Sequence, residues 1–265
     1  MKIGMCCGTD VTKYEKCKAM GYDFVESNCG GIASMSDEDF EEHLAKVKET
    51  DIPVLTANCF LPGETRVSDP ESDDKITADY LSVLLPRAKK LGIDTIVFGS
   101  GGARRIPEGV SAEQGRATLV RKIKEIICPM AEQYGILIVL EPLRHEETNI
   151  LNSVHEAVEV VKEAGNSNLK VLADLYHMVC VDEEFEYLAE LEGLLMHTHT
   201  SNPFDAEHKR IFPLENDGYD QKPFLRNVLA AACGRCAVEA ACNDFDTQAP
   251  QSLKVLKDAL AELDA

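Results

Sequence analysis

A single (β/α)8 TIM barrel is the fold the sequence predicts, and three observations predict it. Eight short apolar runs are spread along the 265 residues, helical patterns separate them, and no low-complexity linker divides the chain. With 45% hydrophobic residues the chain can bury a full core, and closing the sheet removes the edges that an open sheet must protect. Residues 1–265 are therefore expected to form one domain.

The apolar runs are 2–7, 24–28, 54–59, 95–100, 136–143, 171–177, 194–200 and 236–241, each read as a parallel strand covered on both faces. Amphipathic patterns at 37–50, 73–91, 112–134, 153–164 and 221–232 lie between them, and 252–263 closes the chain. Ser36, Ser111 and Asn152 stand where N-caps are wanted, and Gly21, Gly92, Gly135, Gly165 and Gly234 stand where helices stop. Pro86 falls inside the third pattern and is expected to kink or shorten that helix. The irregular stretches 60–73, 99–110 and 201–222 all follow strands. In this fold such loops form the working face, so their length suits covering a pocket.

A formal net charge of -19 disfavours polyanions, and the basic residues gather only in pairs such as Lys89-Lys90 and Arg104-Arg105. Neither a nucleic acid nor a membrane is an expected partner. The ten cysteines are scattered, several of them inside apolar runs, and the opening Met1-Lys2-Ile3-Gly4-Met5-Cys6-Cys7 reads as a strand rather than a leader. A cytoplasmic protein with structural thiols is the expectation. Cys233-Gly234-Arg235-Cys236 has the spacing of a zinc or redox pair, but no second pair answers it and it precedes a strand, so it too is read as structural.

Four metal-ligand residue types fall at or near the C-terminal ends of four consecutive strands: Glu141, Asp174, His199 and Glu239. A carboxylate closing a run as apolar as Ile136-Leu137-Ile138-Val139-Leu140 is costly to bury, and a cation offsets that cost. Paired with a nearby arginine, any one such acid would be unremarkable. Four on adjacent strands suggest one centre. Three carboxylates and an imidazole suit a divalent ion, Mn²⁺ first, with Mg²⁺, Co²⁺ or Zn²⁺ as alternatives. His197 lies two residues before His199 on the same strand face; the later residue, nearer the strand end, is favoured as ligand and the earlier as a supporting or core histidine. Glu26, ending the second strand, is expected to face the pocket. Glu147 and His177 follow their strand-end acids closely enough to reach a substrate hydroxyl. The loop Gly99-Ser100-Gly101-Gly102-Ala103-Arg104 could present backbone N–H groups and a guanidinium to an anionic or polyhydroxylated ligand, although a tight turn is the plainer reading.

Leu140-Glu141-Pro142 with Glu147, Asp174-Leu175-Tyr176-His177, His197-Thr198-His199 and Val238-Glu239 together resemble the signature of the xylose-isomerase-like TIM barrel superfamily. The resemblance is strongest to its sugar phosphate isomerase/epimerase members, which include ketose 3-epimerases, hydroxypyruvate isomerases and 2-keto-myo-inositol dehydratases. It implies that Glu141, Asp174, His199 and Glu239 bind the metal and that Glu147 and His177 contact substrate. One departure stands out. In ketose 3-epimerases an arginine follows the ligand histidine by six residues, where this chain has Asp205, and Arg210 further along the loop is the substitute.

The ligand set itself suggests the chemistry. A metal that polarises a carbonyl and its adjacent hydroxyl stabilises an enediolate while a carboxylate moves the proton. Glu141 and Glu239 are the expected acid–base pair, acting on a small sugar-like keto compound by isomerisation or epimerisation. Loss of hydroxide at the same site would make an inositol-ketone dehydratase. A third reading, an apurinic-site endonuclease with clustered zinc ions, wants more strand-end histidines and a basic groove; His43, His145, His155 and His208 fall in helices or loops instead. A homo-oligomer is compatible with all three.

Overall fold

The computed structural model describes residues 1–203 and 210–263. Eight parallel strands, β1 (Lys2–Cys6), β2 (Phe24–Asn28), β3 (Val54–Asn58), β4 (Thr95–Phe98), β5 (Leu137–Leu140), β6 (Leu169–Asp174), β7 (Leu195–Thr200) and β8 (Arg235–Val238), pair in chain order, and β8 closes on β1. Around them run α1 (Val11–Met20), α2 (Cys29–Ser34), α3 (Asp37–Glu49), α4 (Asp74–Leu91), α5 (Gly101–Arg104) and α6 (Ala112–Lys122). The ring continues through α7 (Cys128–Glu132), α8 (Val154–Ala164), α9 (Leu175–Cys180), α10 (Lys222–Ala230) and α11 (Phe245–Leu263). The predicted barrel is the observed one, although several strands stop earlier than their apolar runs.

Strand alternation sorts the side chains into two layers. Ile96, Ile138 and Val171 join the large apolar cluster between strands and helices, whereas Val97, Val139 and Leu172 form a small separate one inside the cylinder. Glu141 and Asp174 lie two residues beyond Val139 and Leu172, so the same alternation turns both acids inward above this plug. In β7 the pairing register with β6 shifts between Val171 and Leu172, leaving Met196 exposed and His197 opposite Leu172. His197 and His199 are both wholly buried.

Helix signals hold unevenly. Ser36 and Ser111 cap α3 and α6, the latter with a full capping box through Gln114. Gly21 and Gly92 end α1 and α4 in the left-handed conformation that costs glycine least. Before α8, however, the cap is Ser153; the Asn152 amide instead donates to the Leu143 and Thr148 carbonyls and ties down the loop after β5. Pro86 does not shorten α4, which runs on to Leu91. The 112–134 pattern is one helical stretch carrying a π turn at Ile123–Ile127, where Cys128 N–H reaches back to Ile123 O immediately before Pro129, a residue without an N–H to give. Toward the C-terminus α11 begins at Phe245, earlier than 252, where the Asp244 carboxylate accepts the Asp246 and Thr247 N–H groups of its first turn. No helix among the described residues is long and apolar enough to cross a membrane.

Candidate active site

The centre begins with β7. His199 points inward from this strand, and around its Nδ1 stand Glu239 Oε2 at 2.9 Å, Glu141 Oε1 at 3.1 Å and Asp174 Oδ2 at 3.7 Å. Glu141 and Glu239 each follow directly on a strand, β5 and β8, while Asp174 ends β6 and also caps α9 through the Tyr176 N–H at 2.7 Å. One ligand atom from each of these four residues lies within 4.8 Å of every other. Oxygen and nitrogen ligands about 2.0–2.4 Å from a divalent ion are separated by at most roughly 4–5 Å, so this spread matches one ion's coordination sphere.

The charges do not balance within the cluster. Arg210 gives one nitrogen to Asp174 Oδ2 at 2.6 Å and the other to Glu239 Oε2 at 2.9 Å. Even so, Glu239 Oε2 has no aligned hydrogen-bond donor. His199 Nδ1 can offer at most one proton to the three carboxylates around it. Burial pushes the Glu141 carboxyl above its usual range, with Glu239 and Asp174 adding to the push and His199 opposing it. Burial acts the same way on Glu239 and Asp174, but there His199 and Arg210 outweigh it and hold both below the ordinary value. Burial would lower the His199 pKa, yet Glu26 and Glu239 raise it well above normal. Carboxylates gathered this closely form a donor set that fits a hard or borderline divalent cation, and all four expected ligands could hold it.

Beside the centre opens a cavity of about 310 Å³, lined by Asn58, Cys59, Gly99, Ser100, Glu141, Glu147, His177, Arg210 and Glu239 among others. That size suits a small polar molecule. Glu147 accepts from Arg144 Nε at 2.9 Å, and His177 Nδ1 accepts the Arg144 backbone N–H at 3.2 Å, which leaves His177 Nε2 as the ring's donor. Arg144 and Arg210 both lie over the Tyr176 ring, 5.2 and 5.4 Å from its centroid. Backbone pairing fixes Arg210 at the mouth, since its carbonyl accepts from Ala241 N and the neighbouring Ile211 bridges Asn202. Asp205 and His208 lie outside the described residues.

Two placements depart from expectation. Arg104 is no cavity residue: residues 101–104 wind into the short helix α5, which carries the side chain under the loop, where it is fully buried. There its Nη1 donates to the Phe98 and Glu141 carbonyls, bracing two strand ends, and burial draws its pKa down to about 10 despite Glu141 and Glu147 nearby. Glu26 lies not in the pocket but beneath the centre, fully buried, bonded to His197 Nε2 at 2.8 Å and His199 Nε2 at 2.9 Å. Two further contributors were not singled out as site residues by the sequence. Asn58 donates to Glu239 Oε1 at 2.8 Å, and at Gly99 any Cβ would stand 2.3 Å from Glu141 Oε2, so glycine makes room for the carboxylate. The glycine cluster after β4 was the one available hint.

A closed barrel whose mouth holds an acidic, cation-ready centre beside a small polar cavity defines the class. A family model for the xylose isomerase-like TIM barrel matches residues 14–259, and the chain belongs to that family. It is 29% identical over 180 residues to a D-psicose 3-epimerase of Enterocloster bolteae, a match covering 64% of this chain and 58% of that protein. To the hydroxypyruvate isomerase of Escherichia coli it is 28% identical, with 62% and 67% covered. The aligned stretch thus spans less than two thirds of the length of the psicose epimerase. In three dimensions the chain resembles the D-allulose 3-epimerase of Methylomonas sp., with a TM-score of 0.80 at 18% identity over 98% of this chain and 97% of that one. That likeness bears on the fold.

Proposed function

We propose that this protein is a divalent-metal-dependent isomerase or epimerase of a small, sugar-like keto compound, with Mn²⁺ as the preferred ion. The observation that carries this reading is the convergence of Glu141, Asp174 and Glu239 on His199 Nδ1. The curated relatives named as sugar epimerases and isomerases support it. When bound, the ion would polarise a carbonyl and stabilise the negative charge that develops there.

The chain's own groups handle the proton. Glu141 and Glu239 reach the centre from β5 and β8, so two carboxylates approach the reacting carbon from different sides. One, ionised, takes the proton beside the carbonyl, while the other, protonated at the outset, gives its own proton to the same carbon; delivery from the opposite face inverts the centre. Asn58 steadies Glu239 by holding Oε1, and the bare Cα of Gly99 lets Glu141 stand upright. His177, its Nδ1 already engaged, offers Nε2–H to a substrate oxygen, and Glu147 offers an acceptor. The acidic mouth and the net charge of -19 disfavour a phosphodiester backbone as substrate.

The test is a panel of ketoses, their phosphates and inositol ketones incubated with the Mn²⁺-loaded protein in D₂O and followed by NMR. Deuterium is expected at one carbon next to a carbonyl, and chelation should stop the exchange. No exchange in any keto sugar would contradict the reading.

A further inference from the structure

Beneath the four-residue centre lies a carboxylate that the proposed chemistry does not use. Glu26 is completely buried, and both of its oxygens are filled by donors. Oε1 faces His199 Nε2 at 2.9 Å and Cys6 Sγ at 3.2 Å; Oε2 faces His197 Nε2 at 2.8 Å and accepts from Thr56 Oγ1 at 2.6 Å. Strand register produces this meeting, because Cys6 pairs with Glu26 across β1 and β2, and Glu26 with Thr56 across β2 and β3. An inward side chain at each of these levels meets the two inward histidines of β7.

A carboxylate surrounded by four donors needs no proton of its own. Each histidine must then keep its Nε2 proton to bond this anion, which leaves His199 Nδ1 as the ring atom turned toward Glu141, Asp174 and Glu239.

We infer that Glu26 is the positioning residue of the metal centre: it fixes the ring orientation and tautomer of His199 so that Nδ1 is the ligand atom, and its buried negative charge strengthens that ligand. His197 shares the anchor by bonding the second carboxylate oxygen, which gives the His197-Thr198-His199 motif a reason for its first histidine. The inference rests on the proposed metal site. It does not depend on which sugar is turned over.

The experiment needs no substrate. Mn²⁺ affinity is measured by calorimetry for the wild type, Glu26→Gln, which keeps the shape and loses the charge, and Glu26→Leu, which removes the anchor. The ring ¹⁵N signals of His199 are recorded in the Zn²⁺-loaded proteins. Removing such a supporting carboxylate typically weakens metal binding about 10- to 100-fold, so both variants should bind Mn²⁺ at least about tenfold more weakly. The wild type should show Nε2 protonated and Nδ1 coordinated. Variants that unfold at lower temperature yet bind Mn²⁺ like the wild type would reduce Glu26 to a packing role and overturn the inference. Should neither variant fold, the wild-type spectrum decides alone, since coordination through Nε2 contradicts the assignment and coordination through Nδ1 supports it. A wild type that binds no divalent ion would overturn the metal centre itself and this inference with it.

Discussion

The two ends of the barrel handle their acids in opposite ways. At the closed end Asp94, just before β4, meets Arg235 at the start of β8 through two parallel bonds of 2.5 and 2.7 Å, one acid against one base. At the mouth, among the described residues, Glu141, Asp174 and Glu239 share the guanidinium of Arg210 and the ring of His199, and Glu26 beneath them bonds the rings of His199 and His197. A one-to-one fork satisfies both partners and supports the fold. Among the described residues the mouth instead keeps its acids short of counter-charge, an arrangement costly for folding alone. Positions at the closed end of this fold read as stability and those at the open end as chemistry.

If that contrast is right, the largest effect belongs to the mouth. Glu239→Gln should keep the melting temperature close to wild type and cut kcat by about 10²–10⁴-fold, the usual worth of a positioned acid or base. A variant of undiminished turnover would remove Glu239 from the mechanism. A smaller effect is expected one step away. Gly99→Ala inserts a methyl 2.3 Å from Glu141 Oε2, and the end of a side chain yields more easily than backbone. Stability should therefore hardly change, while a carboxylate displaced by about 1 Å should lose up to roughly 10²-fold in rate. A fall in stability with full activity would mean that the space at Gly99 serves packing.

The smallest effect should come from the closed end and depend on pH. Burial would raise the Asp94 pKa, but Arg235 and Thr95 outweigh it and hold the carboxyl below its ordinary value. A group depressed in the folded state stabilises fully above its unfolded pKa of about 3.9, and that contribution is lost as the pH falls through the lower folded value. Asp94 is half exposed, so solvent screening limits the pair. Asp94→Asn should cost only about 0.5–1 kcal/mol at neutral pH, and the difference from wild type should shrink in acid, with turnover at neutral pH unchanged. Urea titrations at pH 7 and in acid check this; a cost that persists unchanged in acid would break the comparison.

How much of this was legible in the sequence differs by level. The eight strands and their closure were readable because each apolar run and its turn residues are local signals, and the strand ends singled out Glu141, Asp174, His199 and Glu239 before any geometry. What the sequence hid depends on register between strands. Nothing local says that Glu26 lies level with Cys6 and Thr56 beneath two histidines, or that Asn58 reaches Glu239 across the barrel. Arg104 misled for a related reason: a glycine-rich loop gives no sign that it will coil into α5 and carry the guanidinium inward. The shortening expected at Pro86 is absent as well, for α4 runs on past it to Leu91.

The most direct measurement is a crystal of the protein soaked in Mn²⁺, with anomalous scattering used to place the ion. One strong peak is expected at the mouth, coordinated by carboxylate oxygens of Glu141, Asp174 and Glu239 and by Nδ1 of His199, with Nε2 still on Glu26. A peak elsewhere, or a well-ordered centre in which Arg210 and the three carboxylates stay in place and no ion enters at saturating Mn²⁺, would contradict the metal assignment.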